Sequence, residues 1–371
     1  MEYRKLGKTG VDVSMIGLGT EYLNEVPRET VVSVIHEAVD MGVNYVDLFF
    51  AHAEIRDNVG VALEGRRDKV MIAGHLGAAN KADGQYYKTR NRDVCEKFFL
   101  DLFPRLRTDY VDVLMLHNVD TEKEYAEMIE EPLELAQRFK KEGKVRFIGL
   151  SGHNPKTSTA AVKSGLIDIL MYPVNLTGEA MPGRKELLNT CVSEGVGLVA
   201  MKPYAGGKLL QKSGSASIEH YQSGWKKYQR QIPSVTPVQC VSYALSQIGV
   251  STIVPGVKNN DELKDALRFL DATDAEKDFS AVIPDFKEYV EGECVYCNHC
   301  LPCPSVIDIG KTIRLLEMAQ YKISDDIRDA YKSLPKKASD CIECGSCMER
   351  CPFGVDVISK MQQAVKLFEE E

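Results

Sequence analysis

The chain has 371 residues, 44% of them hydrophobic and 27% charged, enough to bury a large core and to build two domains. A net charge of −8 with no basic stripe excludes a nucleic-acid-binding surface. No stretch approaches a membrane span and the first residues lack the apolar run of a secretion signal, so a soluble cytoplasmic protein is expected.

Residues 1–275 alternate short apolar runs with amphipathic segments, the pattern of repeated βα units. Tyr3 to Leu6 and Val11 to Val13 read as a hairpin turning on Lys8, Thr9 and Gly10. Strands are predicted at Met15–Leu18, Tyr45–Leu48, Val70–Ala73, Val111–Leu116, Val145–Gly149, Ile167–Met171, Gly197–Met201 and Ser251–Val254. Helical patterns fall between them, among others at Arg28–Met41, Asp93–Arg105, Tyr125–Lys141 and Val235–Gln247. Eight such units in about 250 residues match the size of a (β/α)8 TIM barrel, an α/β fold. One connection is long, from Pro203 to Ser234; with Tyr204, Tyr221, Trp225 and Tyr228 it reads as a lid or binding loop. Residues 276–371 lose the βα pattern and form a second, smaller domain.

That domain carries eight of the eleven cysteines, in two runs. Cys294, Cys297, Cys300 and Cys303 precede Pro304; Cys341, Cys344, Cys347 and Cys351 precede Pro352. Three thiolates two residues apart wrap one face of a cubane, and in bacterial ferredoxins the fourth cysteine of each run serves the other cluster. Two [4Fe–4S] clusters are therefore expected, one on Cys294, Cys297, Cys300 and Cys351, the other on Cys341, Cys344, Cys347 and Cys303. Structural zinc is the alternative, but it leaves half of each run without a role. Disulfides need an oxidising compartment that nothing else supports. Cys95, Cys191 and Cys240 add free thiols that suit a reducing cytoplasm, and clusters of this kind suit an anaerobic host.

Several stretches resemble an aldo-keto reductase: Tyr3 to Gly10 with Ile16 to Thr20, Asn44 to Asp47, Asp109 to His117, Lys144 to Ser151, Met201 to Gly207 and Ile253 to Gly256. With both cysteine runs, the whole chain resembles the branch of that superfamily bearing a C-terminal ferredoxin-like domain. The resemblance implies an oxidoreductase that uses an Asp, a Tyr, a Lys and a His at the strand ends. Carried over without gaps, the Asp is Asp47 and the His is His117, whereas the Tyr falls on His52 and the Lys on His75. The implied catalytic set is thus Asp47, His52, His75 and His117, with His153, Lys202, Tyr204 and Trp225 on the substrate. Arg56, like Lys202, offers charge to an anionic substrate. The implied cofactor set is Ser151, Asn175, Pro255, Gly256 and Lys258. Gly152, Met171 and Met201 stand where the family holds the nicotinamide, so NAD(P)H is expected to bind weakly or not at all.

Histidines gathered at one barrel mouth suit acid–base work near neutral pH, Asp47 bonding His75 and leaving His52 or His117 as proton donor. Three imidazoles and a carboxylate also suit a metal ion. The leading expectation is an oxidoreductase that moves electrons between the clusters and a small substrate at the mouth, with a redox protein as one source of electrons. An NADPH-dependent carbonyl reductase with structural clusters, a non-redox lyase or isomerase, and an electron carrier on a retired barrel are the alternatives.

Overall fold

The computed structural model describes residues 1–179, 181–210, 235–282, 294, 300–321, 323, 325–351 and 354–370. Its strands in chain order are Tyr3–Lys5 (β1), Asp12–Ser14 (β2), Leu18–Gly19 (β3), Tyr45–Leu48 (β4), Met71–Leu76 (β5), Ala78–Asn80 (β6), Tyr86–Lys88 (β7), Val111–Leu116 (β8), Val145–Ser151 (β9), Ile169–Pro173 (β10), Gly197–Met201 (β11) and Val250–Val254 (β12). Eight of them form one parallel sheet in the order β3-β4-β5-β8-β9-β10-β11-β12. Parallel bridges from Ile16 to Ile253 and from Gly19 to Gly256 join its ends into a barrel. Helices cover the outside, so β5, β8 and β12 are buried on both faces and read as continuous apolar runs.

The hairpin β1–β2 plugs the end where the strands begin. Lys8 N–H donates to the Gly195 carbonyl at 2.8 Å, and the Ser251 hydroxyl donates to the Lys5 carbonyl at 2.9 Å. Gly7 lies at φ +53°, and a Cβ there would sit 2.3 Å from the Gly197 nitrogen, so only glycine fits.

Side-chain parity orders the interior. Tyr45, Met71, Ala73, Val113, Met115, Ile169, Met171, Val199 and Val254 form the inward-facing core. Counting on by two from Tyr45, Ala73 and Met115 reaches Asp47, His75 and His117. The sequence thus stacks these three polar groups as the last layer of one half-barrel, at the C-terminal strand ends.

The predicted helices Asp93–Arg105 and Tyr125–Lys141 are each broken in two. Glu122–Ile129 ends at Glu130, whose ψ of −115° leaves the helix; Glu131–Lys141 restarts with Pro132, which lacks the N–H to continue a ladder. The insertion β6–β7 was not anticipated. Gly77, at φ +101°, turns the chain out of β5 into it, and a Cβ there would meet the Thr89 carbonyl at 2.9 Å.

Two compact units emerge, Met1–Ala205 with Val235–Lys287, and Gly206–Ser234 with Glu288–Glu371. The first runs past the expected boundary at 275. Phe279 packs edge-on against Tyr243 at 5.4 Å, and Gln239 donates to the Asp278 carbonyl at 2.7 Å. Residues 206–210 belong to the second unit, where Lys208 pairs with Glu317 at 3.1 Å. Trp225, Tyr221 and Tyr228 of the expected lid lie outside the described residues. In the second unit, helices Ile309–Tyr321 and Val357–Phe368 pack through Ile313, Leu316, Met361 and Ala364, all buried. Tyr331 stacks on Phe368 with centroids 4.2 Å apart, a contact that adds about 0.5–1.5 kcal/mol to its area burial. Among the described residues, no helix is long and apolar enough to cross a membrane.

Candidate functional site

The polar half-barrel ends in a single file of hydrogen bonds. Asp47 Oδ1 lies 2.9 Å from His75 Nε2, and His75 Nδ1 lies 2.8 Å from His117 Nδ1. His117 Nε2 bonds the hydroxyl of Tyr86, which also accepts from Asn118 Nδ2 at 3.3 Å. Asp47, His75, His117, Tyr86 and Asn118 are all buried. Phe49 stacks on His117 with centroids 5.7 Å apart and meets the rings of His75 and Tyr86 edge-on, walling the file from one side.

The bond directions follow from the donors available. An ionised Asp47 only accepts, so His75 Nε2 carries hydrogen. Exactly one hydrogen fits between the two Nδ1 atoms, which leaves two arrangements. With it on His117, both imidazoles are neutral and the Tyr86 hydroxyl donates to His117 Nε2. With it on His75, that ring is an imidazolium against Asp47, and His117 Nε2–H donates to the Tyr86 oxygen. The phenolic hydrogen is then released toward a third partner. The arrangements differ by one proton, and both satisfy every bond in the file.

Asn118 is fixed on three sides. It sits at φ +49°, its N–H donates to Ser151 Oγ at 3.0 Å, and its carbonyl accepts from Arg90 at 2.7 Å. Arg56, expected to offer charge to a substrate, is wholly buried instead. Its guanidinium donates to the carbonyls of Phe50 at 3.1 Å and Phe98 at 2.6 Å and pairs with Asp101, and burial pulls its pKa down to about 10. It anchors the loop carrying Phe49 and Phe50.

His52 does not join the file. It directly precedes the helix Ala53–Ala62, and its Nε2 lies 3.0 Å from the Gly84 carbonyl. The position five residues after Asp47 starts an outer helix, and the hydroxyl that ends the file comes from Tyr86 on β7 instead. Nor do these histidines gather as metal ligands: each ring nitrogen of His75 and His117 is already engaged, and among the described residues no three such groups converge on a single ion.

His153 is buried beside Asp120, its Nδ1 3.5 Å from Oδ2. Lys202 lies 4.0 Å from Glu21. The Tyr204 hydroxyl is buried near Cys240, Asp265 and Glu262, and that burial raises its pKa.

The opposite half of the mouth differs. Met171 belongs to the packed core, and Met201 rests on it. A Cβ on Gly152 would lie 2.7 Å from the Val119 carbonyl, so no amide side chain fits there. Asn175 uses its own amide internally, accepting from Gly178 N–H at 3.2 Å and donating to the Lys202 carbonyl at 2.8 Å. Tyr22 packs on Gly256. Lys258, expected to meet a phosphate, is held by Glu262, which accepts from its backbone N–H at 3.0 Å and pairs with Nζ at 3.2 Å. Asn259 caps the same helix at the Glu262 N–H.

In the second unit, Cys303, Cys341, Cys344 and Cys347 line one open cavity together with Ile307, Ile309, Val357 and Met361. These are the four thiols that crossing between runs assigns to one cluster. Sulfur donors spread around an apolar cavity fit a [4Fe–4S] cubane. Cys344 accepts from the Ser346 backbone N–H, which lowers its pKa toward the ligating thiolate. Of the other set, Cys294, Cys300 and Cys351 are half-buried, and Cys297 lies outside the described residues.

A family model for a 4Fe-4S dicluster domain matches residues 293–356, agreeing with the cysteine cavity. Over the barrel, the chain is 27% identical across 290 residues to the oxidoreductase YqkF of Bacillus subtilis, covering 73% of this chain and 92% of that one. It is 24% identical across 295 residues to the L-galactose dehydrogenase of Arabidopsis thaliana, covering 71% and 86%. The fold matches the holo form of aldo-keto reductase AKR11C1 from Bacillus halodurans with a TM-score of 0.65 at 23% identity, covering 78% and 97%. The model of the aldo/keto reductase family matches residues 15–283, the barrel from its first strand to its last helix, and to that family the chain belongs as an oxidoreductase with an iron–sulfur domain behind it.

Proposed function

We propose that this oxidoreductase exchanges electrons, through its clusters, with a small carbonyl or hydroxyl compound at the barrel mouth, and that Tyr86 handles the proton at the substrate oxygen. The observation carrying this reading is the unbroken file from Asp47 through His75 and His117 to Tyr86. When bound, the clusters supply electrons one at a time. Reducing a carbonyl to an alcohol takes two electrons and two protons, one at oxygen and one, drawn from solvent, at carbon. Tyr86 gives that proton while drawing the hydrogen from His117 Nε2, and His117 takes the hydrogen from His75 Nδ1. The site then rests in its neutral arrangement. Asp47 stabilises the imidazolium before transfer and fixes the His75 tautomer throughout. Oxidation runs the same file backwards.

The closed nicotinamide side supports electrons arriving without NADPH. A reducing cytoplasm suits the free thiols and the cluster ligands. The test is anaerobic turnover of a panel of small aldehydes and ketones with a reduced viologen and, separately, with NADPH. Turnover with the viologen alone is expected. Equal rates with NADPH that survive removal of the iron overturn the reading in favour of a conventional reductase with structural clusters.

A further inference from the structure

We infer that Arg350 sets the reduction potential of the cluster held by Cys303, Cys341, Cys344 and Cys347, raising it above that of its neighbour. Arg350 directly precedes Cys351, a ligand of the other cluster, yet its side chain lines the cavity of this one. One terminal nitrogen is clasped by two carbonyls of the first cysteine run, Cys300 at 2.7 Å and Pro302 at 2.8 Å. That clasp fixes the guanidinium plane. Its Nε is buried and has no hydrogen-bond partner. A buried N–H left unpaired is unfavourable, so a fixed donor beside a cavity of cysteines calls for an acceptor there. Thiolate or sulfide sulfur is the acceptor that the cavity's four cysteines provide.

The effect on potential follows from charge. A cluster gains one negative charge when it takes up one electron, and potentials respond to net charge and to hydrogen bonds at the sulfurs. A fixed cation with an N–H at the wall favours the reduced form. Among the described residues, Arg350 lines the cavity of Cys303, Cys341, Cys344 and Cys347. The cluster lined by Arg350 is therefore the first of the two to fill, and the neighbour the better reductant.

The experiment is an anaerobic redox titration of the full-length holoprotein, followed by electron paramagnetic resonance, for wild type, Arg350→Gln and Arg350→Lys. Cys344→Ser, which alters a ligand of this cluster alone, identifies its wave. Arg350→Gln should lower that wave by about tenfold in its reduction equilibrium, about 59 mV for a one-electron couple, and leave the other in place. Arg350→Lys keeps the charge, loses the planar Nε donor, and should fall between. Iron analysis accompanies each titration. Unmoved waves, or both waves shifting equally, overturn the assignment. So does loss of iron in both variants, which makes Arg350 a clamp on the cysteine runs.

Discussion

The two halves of the barrel mouth share a scaffold and differ in what they can still do. On β4, β5 and β8 the top layer is Asp47, His75 and His117, joined and extended to Tyr86. Across the mouth, on β10 and β11, the same layer is Met171 and Met201, with Gly152 pressed against a carbonyl and Lys258 held by Glu262. One half conserves a path for protons. The other has lost the groups with which the resembling family grips a nicotinamide ring. Under the proposed function, such a barrel gives up hydride-carrier contacts, keeps its acid–base apparatus and takes electrons from elsewhere.

The sharpest attack on this contrast is Tyr86→Phe, which removes the hydroxyl and keeps the ring against Phe49. Turnover should fall about 10²–10⁴-fold, the usual worth of a positioned acid, with little change in melting temperature. His52→Ala should change turnover by less than about threefold on the same scale. Equal losses would return the donor role to His52. Asp47→Asn and His75→Ala come next, each at roughly 10²-fold. Because both act through one file, the double variant should be no worse than either single. Losses that multiply would mean two independent sites.

The closed half gives smaller effects. Gly152→Asn should cost about 1–3 kcal/mol through the contact with Val119, lowering Tm by about 2–10 °C, and should not improve NADPH binding. Tighter NADPH binding in that variant would show that the subsite is only unfurnished, not closed. Smallest is Glu262→Gln, which removes the carboxylate that holds Lys258 at a helix start. Calorimetry should show NADPH binding strengthened about two- to fivefold over a weak wild type, the range of one charge at such a terminus. A sub-micromolar wild-type dissociation constant would remove the contrast altogether.

Much of this was legible in the sequence. Strands buried on both faces announce themselves as apolar runs, and the resemblance to the family brought Asp47, His75 and His117 to one mouth. The cysteine spacing assigned Cys303 to the second run's cavity before any cavity was seen. Tyr86 was not found, because an ungapped reading stays on the helix after β4, whereas the residue that ends the file comes from the insertion β6–β7. A signal was present: Asp83 and Gly84 form a turn pair between two short stretches that become β6 and β7. Arg56 misled for a different reason. Charge on a helix start reads as surface, and only the fold supplies the carbonyls of Phe50 and Phe98 that let a guanidinium be buried.

The file of four groups also has an isotopic consequence. Apart from the one that Asp47 holds on His75 Nε2, each hydrogen in it points one way before the substrate oxygen is protonated and the other way after. Neither bond to His117 can reverse alone without leaving that ring with hydrogen on both nitrogens or on neither. If the reversal is concerted, several hydrogens are in flight in the same barrier, and each carries its own fractionation when deuterium replaces it. Rates in mixtures of light and heavy water should then fall on a bowed curve as the deuterium fraction rises, where a lone hydroxyl exchanging with solvent would give a straight line.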